Sequence, residues 1–265
     1  MIMSKLAIFN RNQLKYICAA GMVLDSLFFA FPGVFPVEFR LLSRYVAPLF
    51  AFFIAEGFRL SRNKEKYLIR LWIGGLVMVA SQILSFFVLG AQNDIPDNII
   101  LTFAIAATAL YFLDKEKSDG NHLPCFIIGC LLVVTCWYLE LNPINIHGFK
   151  FWIEGGTQMT AVILIIYYIR DRRRAVLTYL IFDIGLILIL GTFRMPSDYI
   201  SISVWWETTC RYCDTYTFLF LPVLALYNGE KGSNKRFHRD FFYIFYPSHL
   251  WILQLLAILL GVRAM

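Results

Sequence analysis

An all-α, polytopic transmembrane bundle of about nine helices, with a cytoplasmic N-terminus, is the fold class the sequence predicts. Three observations predict it. The 265 residues are 59% hydrophobic and only 16% charged, with 25 phenylalanines and a mean hydropathy of +0.63. Ordinary soluble domains carry about 25% charge. The apolar residues fall into runs near the ~20 needed to cross a bilayer as a helix. Basic residues fall unevenly between the loops on the two sides. Only helices and closed barrels satisfy their backbone polar groups in lipid, and the alternating ~10-residue segments of a barrel are absent.

The expected spans are 14–35, 43–60, 69–91, 97–113, 124–140, 156–170, 175–193, 214–228 and 241–263. The third, seventh and ninth are the strong ones. The fourth, sixth and eighth are short, and Pro222 interrupts the eighth, so eight or ten spans are the alternatives. With the N-terminus inside, 18 of the 24 Lys and Arg residues lie in inner segments and 6 in outer ones, as the positive-inside rule requires. An odd number of spans then places the C-terminus outside. No polar block is long enough for a soluble domain, so 1–265 reads as one integral-membrane domain. Met1–Asn12 carries no cleavable-signal pattern.

The net charge of +6 belongs to cytoplasmic loops that face anionic lipid, so membrane lipids are expected partners and nucleic acid is not. The clearest solvated loops are 114–123 and 229–240. Cys18, Cys125, Cys130 and Cys136 sit in apolar runs, where cysteine acts as a small hydrophobe. Cys210 and Cys213 form a C-x-x-C, either a disulfide or a redox pair. No second pair supports zinc, and no metal is expected. Tyr199, Trp205, Trp206, Tyr212 and Tyr216 suit an interface belt. Walker A, dinucleotide-binding and G-x-S-x-G patterns are absent.

Charged groups inside spans carry the functional signal. A carboxylate at Asp25, in the first span, costs at least ~2.5 kcal/mol to bury, so pairing or function is its default reading. Arg44 and Glu56 fall in the second span, Asp183 in the seventh and His249 in the ninth. Glu56, Arg59 and Arg44 lie near span ends, where side chains snorkel. Asp183 suits an internal salt bridge, and Glu207 with Arg211 has the spacing of a helical ion pair. His249 stands in Tyr243-Ile-Phe-Tyr-Pro-Ser-His-Leu250. Pro247 there removes a helix donor and is expected to loosen the helix. Imidazole is the usual general base, and a buried carboxylate commonly orients it.

Several blocks together resemble one family. They are Leu14 to Asp25, Arg44 to Phe58 (RYVAPLFAFFIAEGF), Ser61 to Leu71 (SRNKEKYLIRL), Tyr227 to Gly232 (YNGEKG) and Phe242 to Leu250 (FYIFYPSHL). Their order and spacing resemble the TraX family, the conjugative pilin acetylase and its chromosomal relatives, over nearly the whole chain and least between 115 and 210. The resemblance implies a multi-pass acyltransferase of the bacterial inner membrane. Acetyl-CoA would be the donor, and a peptide amine such as a pilin N-terminus, or a surface glycan hydroxyl, the acceptor. It carries over Lys15, Asp25, Arg44, Pro48 and His249. The family's first block ends in Asp-His, whereas this chain has Asp25-Ser26, and a hydroxyl offers no useful basic atom.

Three explanations stand for Ser26: a member that has lost catalysis, an engineered inactive variant, or an active member that uses His249 as base. In the leading mechanism that base deprotonates the acceptor, Asp25 orients it and Arg44 stabilises developing negative charge. Lys15 is placed with the cofactor, and Arg62, Lys64, Lys66 and Arg70 attract the phosphates of acyl-CoA. The alternative is a catalytically degenerate protein of pilus or envelope assembly. A small transporter with Asp25 as proton relay ranks below both, because no inverted repeat is visible. Acceptor, acyl chain and oligomeric state, homo-oligomers included, are left open.

Overall fold

A computed structural model describes residues 7–90, 95, 98–115, 122–194, 214, 216–233 and 235–262. The Cys210–Cys213 pair, Glu207, Arg211 and the aromatic residues Tyr199, Trp205, Trp206 and Tyr212 lie outside the described residues. The chain divides into two compact units, one of Met1–Phe50 with Val176–Met265, the other of Ala51–Ala175.

In the first unit, helix α1 (Arg11–Ala30) opens on a capping box. The Asn10 side chain accepts from the Gln13 N–H at 3.0 Å, and the Gln13 side chain accepts from the Asn10 N–H at 2.9 Å, which satisfies two otherwise orphaned donors. The helix stops at Ala30, five residues short of the expected 35. Pro32 cannot continue the helical hydrogen bonding, and Gly33 takes φ +78°. The short helix α2 (Glu38–Ser43) follows, and then α3 (Val46–Leu60). Gly21 is needed where α1 meets the start of α3: a Cβ there would lie 2.6 Å from Val46 Cγ2.

Helix α4 (Lys64–Leu89), α5 (Ile99–Lys115) and α6 (His122–Leu141) follow. An antiparallel hairpin comes next, β1 (Ile144–Ile146) paired with β2 (Phe149–Phe151) in the register Ile144↔Phe151. It is the departure from an all-α chain. His147 and Gly148 both take positive φ, +51° and +90°, as a two-residue type I′ turn demands. Helix α7 (Gly156–Tyr168) completes the second unit, in which α5 packs on α4, α6 and α7. Ala104, Ala106, Ala107, Ala109 and Leu110 are all fully buried, so α5 is apolar all round because it is enclosed all round.

Close approach in this unit depends on glycine. A Cβ on Gly156 would sit 2.2 Å from the Cys136 carbonyl oxygen. Gly156→Ala is therefore expected to push α7 off α6 and cost about 1–3 kcal/mol by overpacking. Thermal unfolding in detergent reads this out, and an unchanged midpoint would contradict the packing.

Helix α8 (Arg172–Arg194) covers the expected seventh span. The eighth differs from expectation. Among the described residues of 214–228 there is a 3₁₀ turn at Thr217–Leu219 and only a six-residue helix, α9 (Phe220–Ala225). Pro222 lacks the N–H that would bond the Phe218 carbonyl, and it falls in the first turn of α9, where a missing donor costs least. Asp183 holds this turn. Buried completely, its carboxylate accepts from the Thr217 hydroxyl and the Phe218 N–H, both at 2.7 Å. Its partners are thus a hydroxyl and a backbone amide at a helical start, where a salt bridge was expected.

The last helix, α10 (Arg236–Leu259), runs through Pro247 without ending. Its contacts with α1 climb together: Tyr16 meets His238 and Phe242, Ser26 meets His249, and Ala30 packs with Leu253 and Ala257. The two helices therefore run parallel. If both cross the bilayer, a parallel first and last span requires an odd number of crossings in all.

Among the described residues, five stretches are long and apolar enough to cross a membrane: 11–30, 38–60, 64–89, 123–141 and 240–259. Large apolar side chains stay exposed on them, such as Ile73, Leu84 and Val88 on α4 and Leu131 and Val134 on α6. Such surfaces suit lipid and not water. The chain is a helical membrane protein.

Candidate functional site

The first unit gathers the polar groups around α1. Successive residues of a helix point ~100° apart at 3.6 per turn. Asp25 and Ser26 accordingly face different neighbours, Asp25 toward the α2 end and Ser26 toward α10.

On the α2 side, Arg44 Nη2 donates to Asp25 Oδ1 at 2.6 Å, and Arg44 Nη1 donates to Asp214 Oδ1 at 2.7 Å. Arg40 Nη2 donates to the same Asp214 oxygen at 2.7 Å. The Ser43 hydroxyl lies 2.9 Å from Asp25 Oδ1 and 2.7 Å from the Arg40 carbonyl oxygen, and can donate to either. Arg44 is 10% exposed and Asp25 22%. A guanidinium with fixed, divergent donors suits two carboxylates at once. Arg40, Ser43 and Asp214 were not among the expected site residues. Arg40 and Arg44, four apart on one helical face, were the available signal.

On the α10 side, Ser26 Oγ lies 3.2 Å from His249 Nε2. His249 Nδ1 lies 2.9 Å from the Phe245 carbonyl oxygen. A carbonyl only accepts, so Nδ1 carries the hydrogen; in the neutral ring Nε2 then presents its lone pair, and the Ser26 hydroxyl donates to it. The imidazole is 6% exposed and stacks on Phe245, with centroids 4.8 Å apart and planes 8° from parallel. Ring orientation and tautomer are thus set by the helix's own backbone and an aromatic face. The partners of the Asp25 carboxylate are Arg44 and Ser43, so the orienting role expected of it falls to the Phe245 carbonyl. Ser26, which stands where the resemblance leads one to expect an imidazole, is the group that meets His249.

Lys15 lies on the Ser26 face of α1, because eleven residues make just over three whole turns. Its ammonium sits 5.4 Å from the Phe242 ring centroid, about 16 Å along the helix from Ser26 at 1.5 Å per residue. The other expected cofactor residues belong to the second unit. Lys64 is engaged there by Asp114 and lies over the Phe58 ring. Arg62, Lys66 and Arg70 are exposed. Arg59 donates to the Ile166 and Tyr167 carbonyls at the end of α7, which favours a cation at a helix C-terminus. No cluster able to hold a metal occurs among the described residues.

Chemically, the first unit therefore offers a buried imidazole with its free nitrogen on the Ser26 hydroxyl, and a doubly paired guanidinium whose partner Asp25 adjoins Ser26 in the chain. The chain is similar to the probable fimbrial assembly protein FimC, serogroup H1, of Dichelobacter nodosus, at 28% identity over 95% of this chain and 97% of that protein. No solved structure matches it. The TraX protein family profile matches residues 10–257, from the capping residue Asn10 to the α10 residue Ala257 that packs on α1, and the chain belongs to the TraX family.

Proposed function

We propose that this protein is an acyltransferase of the bacterial inner membrane, crossing it about nine times with its N-terminus in the cytoplasm. It moves an acetyl or other acyl group from acyl-CoA to an amine or hydroxyl, such as a pilin N-terminus or a surface glycan, in pilus assembly. The observation that carries the reading is the His249 imidazole, buried in the last span with Nδ1 fixed on a backbone carbonyl and Nε2 facing a hydroxyl. A buried base of fixed tautomer is what proton removal from a weakly acidic acceptor needs. Family membership and the likeness to a fimbrial assembly protein support the pilus setting.

In this reading acyl-CoA would lie along the Lys15–Ser26 face of α1. A cation at one end would take a phosphate, and a long pantetheine arm would bring the thioester to the His249 end. The exposed Arg62, Lys66 and Arg70 draw anions toward the membrane surface.

The test is transfer of labelled acetyl from acetyl-CoA, by purified protein in lipid nanodiscs, to pilin-derived peptides and glycan acceptors. Acceptor-dependent release of CoA is expected. Binding of acetyl-CoA without transfer would favour a second reading, a non-catalytic assembly protein. Ser26 in place of the family imidazole is the observation that speaks for it. The absence of both binding and release would overturn the acyltransferase and any acyl-CoA-binding role, and leave the assembly reading standing.

A further inference from the structure

We propose that Ser26 is an acyl-accepting nucleophile with His249 as its base, so that transfer passes through an acyl-serine. This rests on the acyltransferase reading above and gives it a two-step course.

The first observation is the direction of the Ser26 hydroxyl. A Ser or Thr in a membrane helix commonly returns its hydroxyl to the carbonyl four residues back. Thr108 does so to Ala104 at 2.7 Å, and Thr135 to Leu131 at 2.8 Å. The bond of Ser26 goes instead to a ring nitrogen 223 residues away in sequence. The second is the state of that ring. Nδ1 is committed to the Phe245 carbonyl, so Nε2 is the basic atom and is the one the hydroxyl meets. Nucleophile, base and orienting group stand in the relation that activates hydroxyl nucleophiles, here with a backbone carbonyl in the orienting role. The third is enclosure. His249 is 6% exposed and Ser26 half-buried, so bulk water is largely kept from an ester formed at Ser26.

The step balances without any further reagent. Ser26 Oγ attacks the thioester carbonyl carbon of acyl-CoA while its proton passes to His249 Nε2. The C–S bond breaks, and the leaving thiolate takes that proton, giving CoA thiol and acyl-Ser26. The acceptor amine or hydroxyl then attacks the ester carbonyl and gives its proton to Nε2. The C–O bond breaks, and Ser26 Oγ recovers the proton. On this account the departure from the family's Asp-His pair is a change from a base to a nucleophile at position 26, with the base supplied by α10.

Full-length protein in nanodiscs tests this in two arms. In the first, labelled acetyl-CoA is added without acceptor, the reaction is quenched in acid, and the Ser26 peptide is examined by mass spectrometry. An acetyl group on Ser26 is expected. Ser26→Ala should lose it and slow transfer to acceptor by roughly 10²-fold or more. Ser26→Cys should restore an adduct, now a thioester cleaved by neutral hydroxylamine, which separates loss of the nucleophile from loss of the fold. In the second arm a fluorophosphonate replaces acyl-CoA, and a phosphonyl adduct on Ser26 is expected. Adduct in the second arm alone would retain the Ser26–His249 pair and overturn acyl-CoA as donor. Transfer to acceptor at an undiminished rate in Ser26→Ala would overturn the nucleophile and leave the acyltransferase standing. No adduct on Ser26 in either arm would overturn the inference outright.

Discussion

Replacing His249 with asparagine is expected to lower the rate of acyl transfer by roughly 10²- to 10⁴-fold, the range of positioned general-base catalysis. KM for acyl-CoA should change little. Nε2 is 3.2 Å from the Ser26 hydroxyl, so its loss removes proton acceptance from the hydroxyl and touches nothing that binds phosphate. Asparagine can keep the Phe245 carbonyl contact through its amide N–H while offering no basic nitrogen. It is smaller than the ring and creates no clash, so α10 should persist, and circular dichroism with size-exclusion chromatography checks that it does. A folded His249→Asn protein that transfers acetyl at the original rate would remove the imidazole from the mechanism. A rise in KM alone would move His249 from chemistry to binding.

The helical membrane character of the chain was legible in its apolar runs, because lipid admits few backbone solutions. Span ends were less so. Pro32 and Gly33 end α1 at Ala30, and the alternative to that stop was a longer apolar run that looked continuous by hydropathy. Pro222 marked the eighth segment as interrupted, and the described residues there form only a 3₁₀ turn and a short helix. The β1–β2 hairpin was readable from Asn145-Ile-His-Gly148, but a two-strand ribbon of three-residue strands carries too short an alternation to stand out from flanking spans.

At the site, Asp25, Arg44 and His249 were identifiable because charge and imidazole are costly in lipid. Their pairing was not. Helical rotation sends Asp25 and its neighbour Ser26 to different partners, and nothing in a single sequence says which helix lies on which side. The carboxylate and imidazole that looked like one constellation belong to two: Asp25 with Arg44 and Ser43, and His249 with Ser26. Asp183 shows the same limit. Its burial was expected, whereas its role, holding the Thr217–Phe218 turn, depends on a segment 34 residues away in the chain.

Arg44→Ala should be the most destabilising single change in the ion network, at about 1.5–3 kcal/mol, because it leaves a part-buried carboxylate without its charged hydrogen-bond partner. The loss is unequal between the two carboxylates. Asp214 is 44% exposed and keeps Arg40 at 2.7 Å, so it is little affected. Asp25 keeps only the Ser43 hydroxyl, which must share its single proton with the Arg40 carbonyl. The orphaned charge at Asp25 therefore accounts for most of the cost. Adding Asp25→Asn to Arg44→Ala should then recover a large part of it, since a neutral amide beside a hydroxyl needs no counter-ion. Denaturation of the four proteins of this double-mutant cycle, in one detergent, gives the coupling energy. Additive losses would show that Arg44 acts mainly through Asp214 or through packing, and that the Asp25–Arg44 contact is incidental. A strong coupling would place Arg44 as the partner that holds the Asp25 carboxylate beside the serine that faces His249.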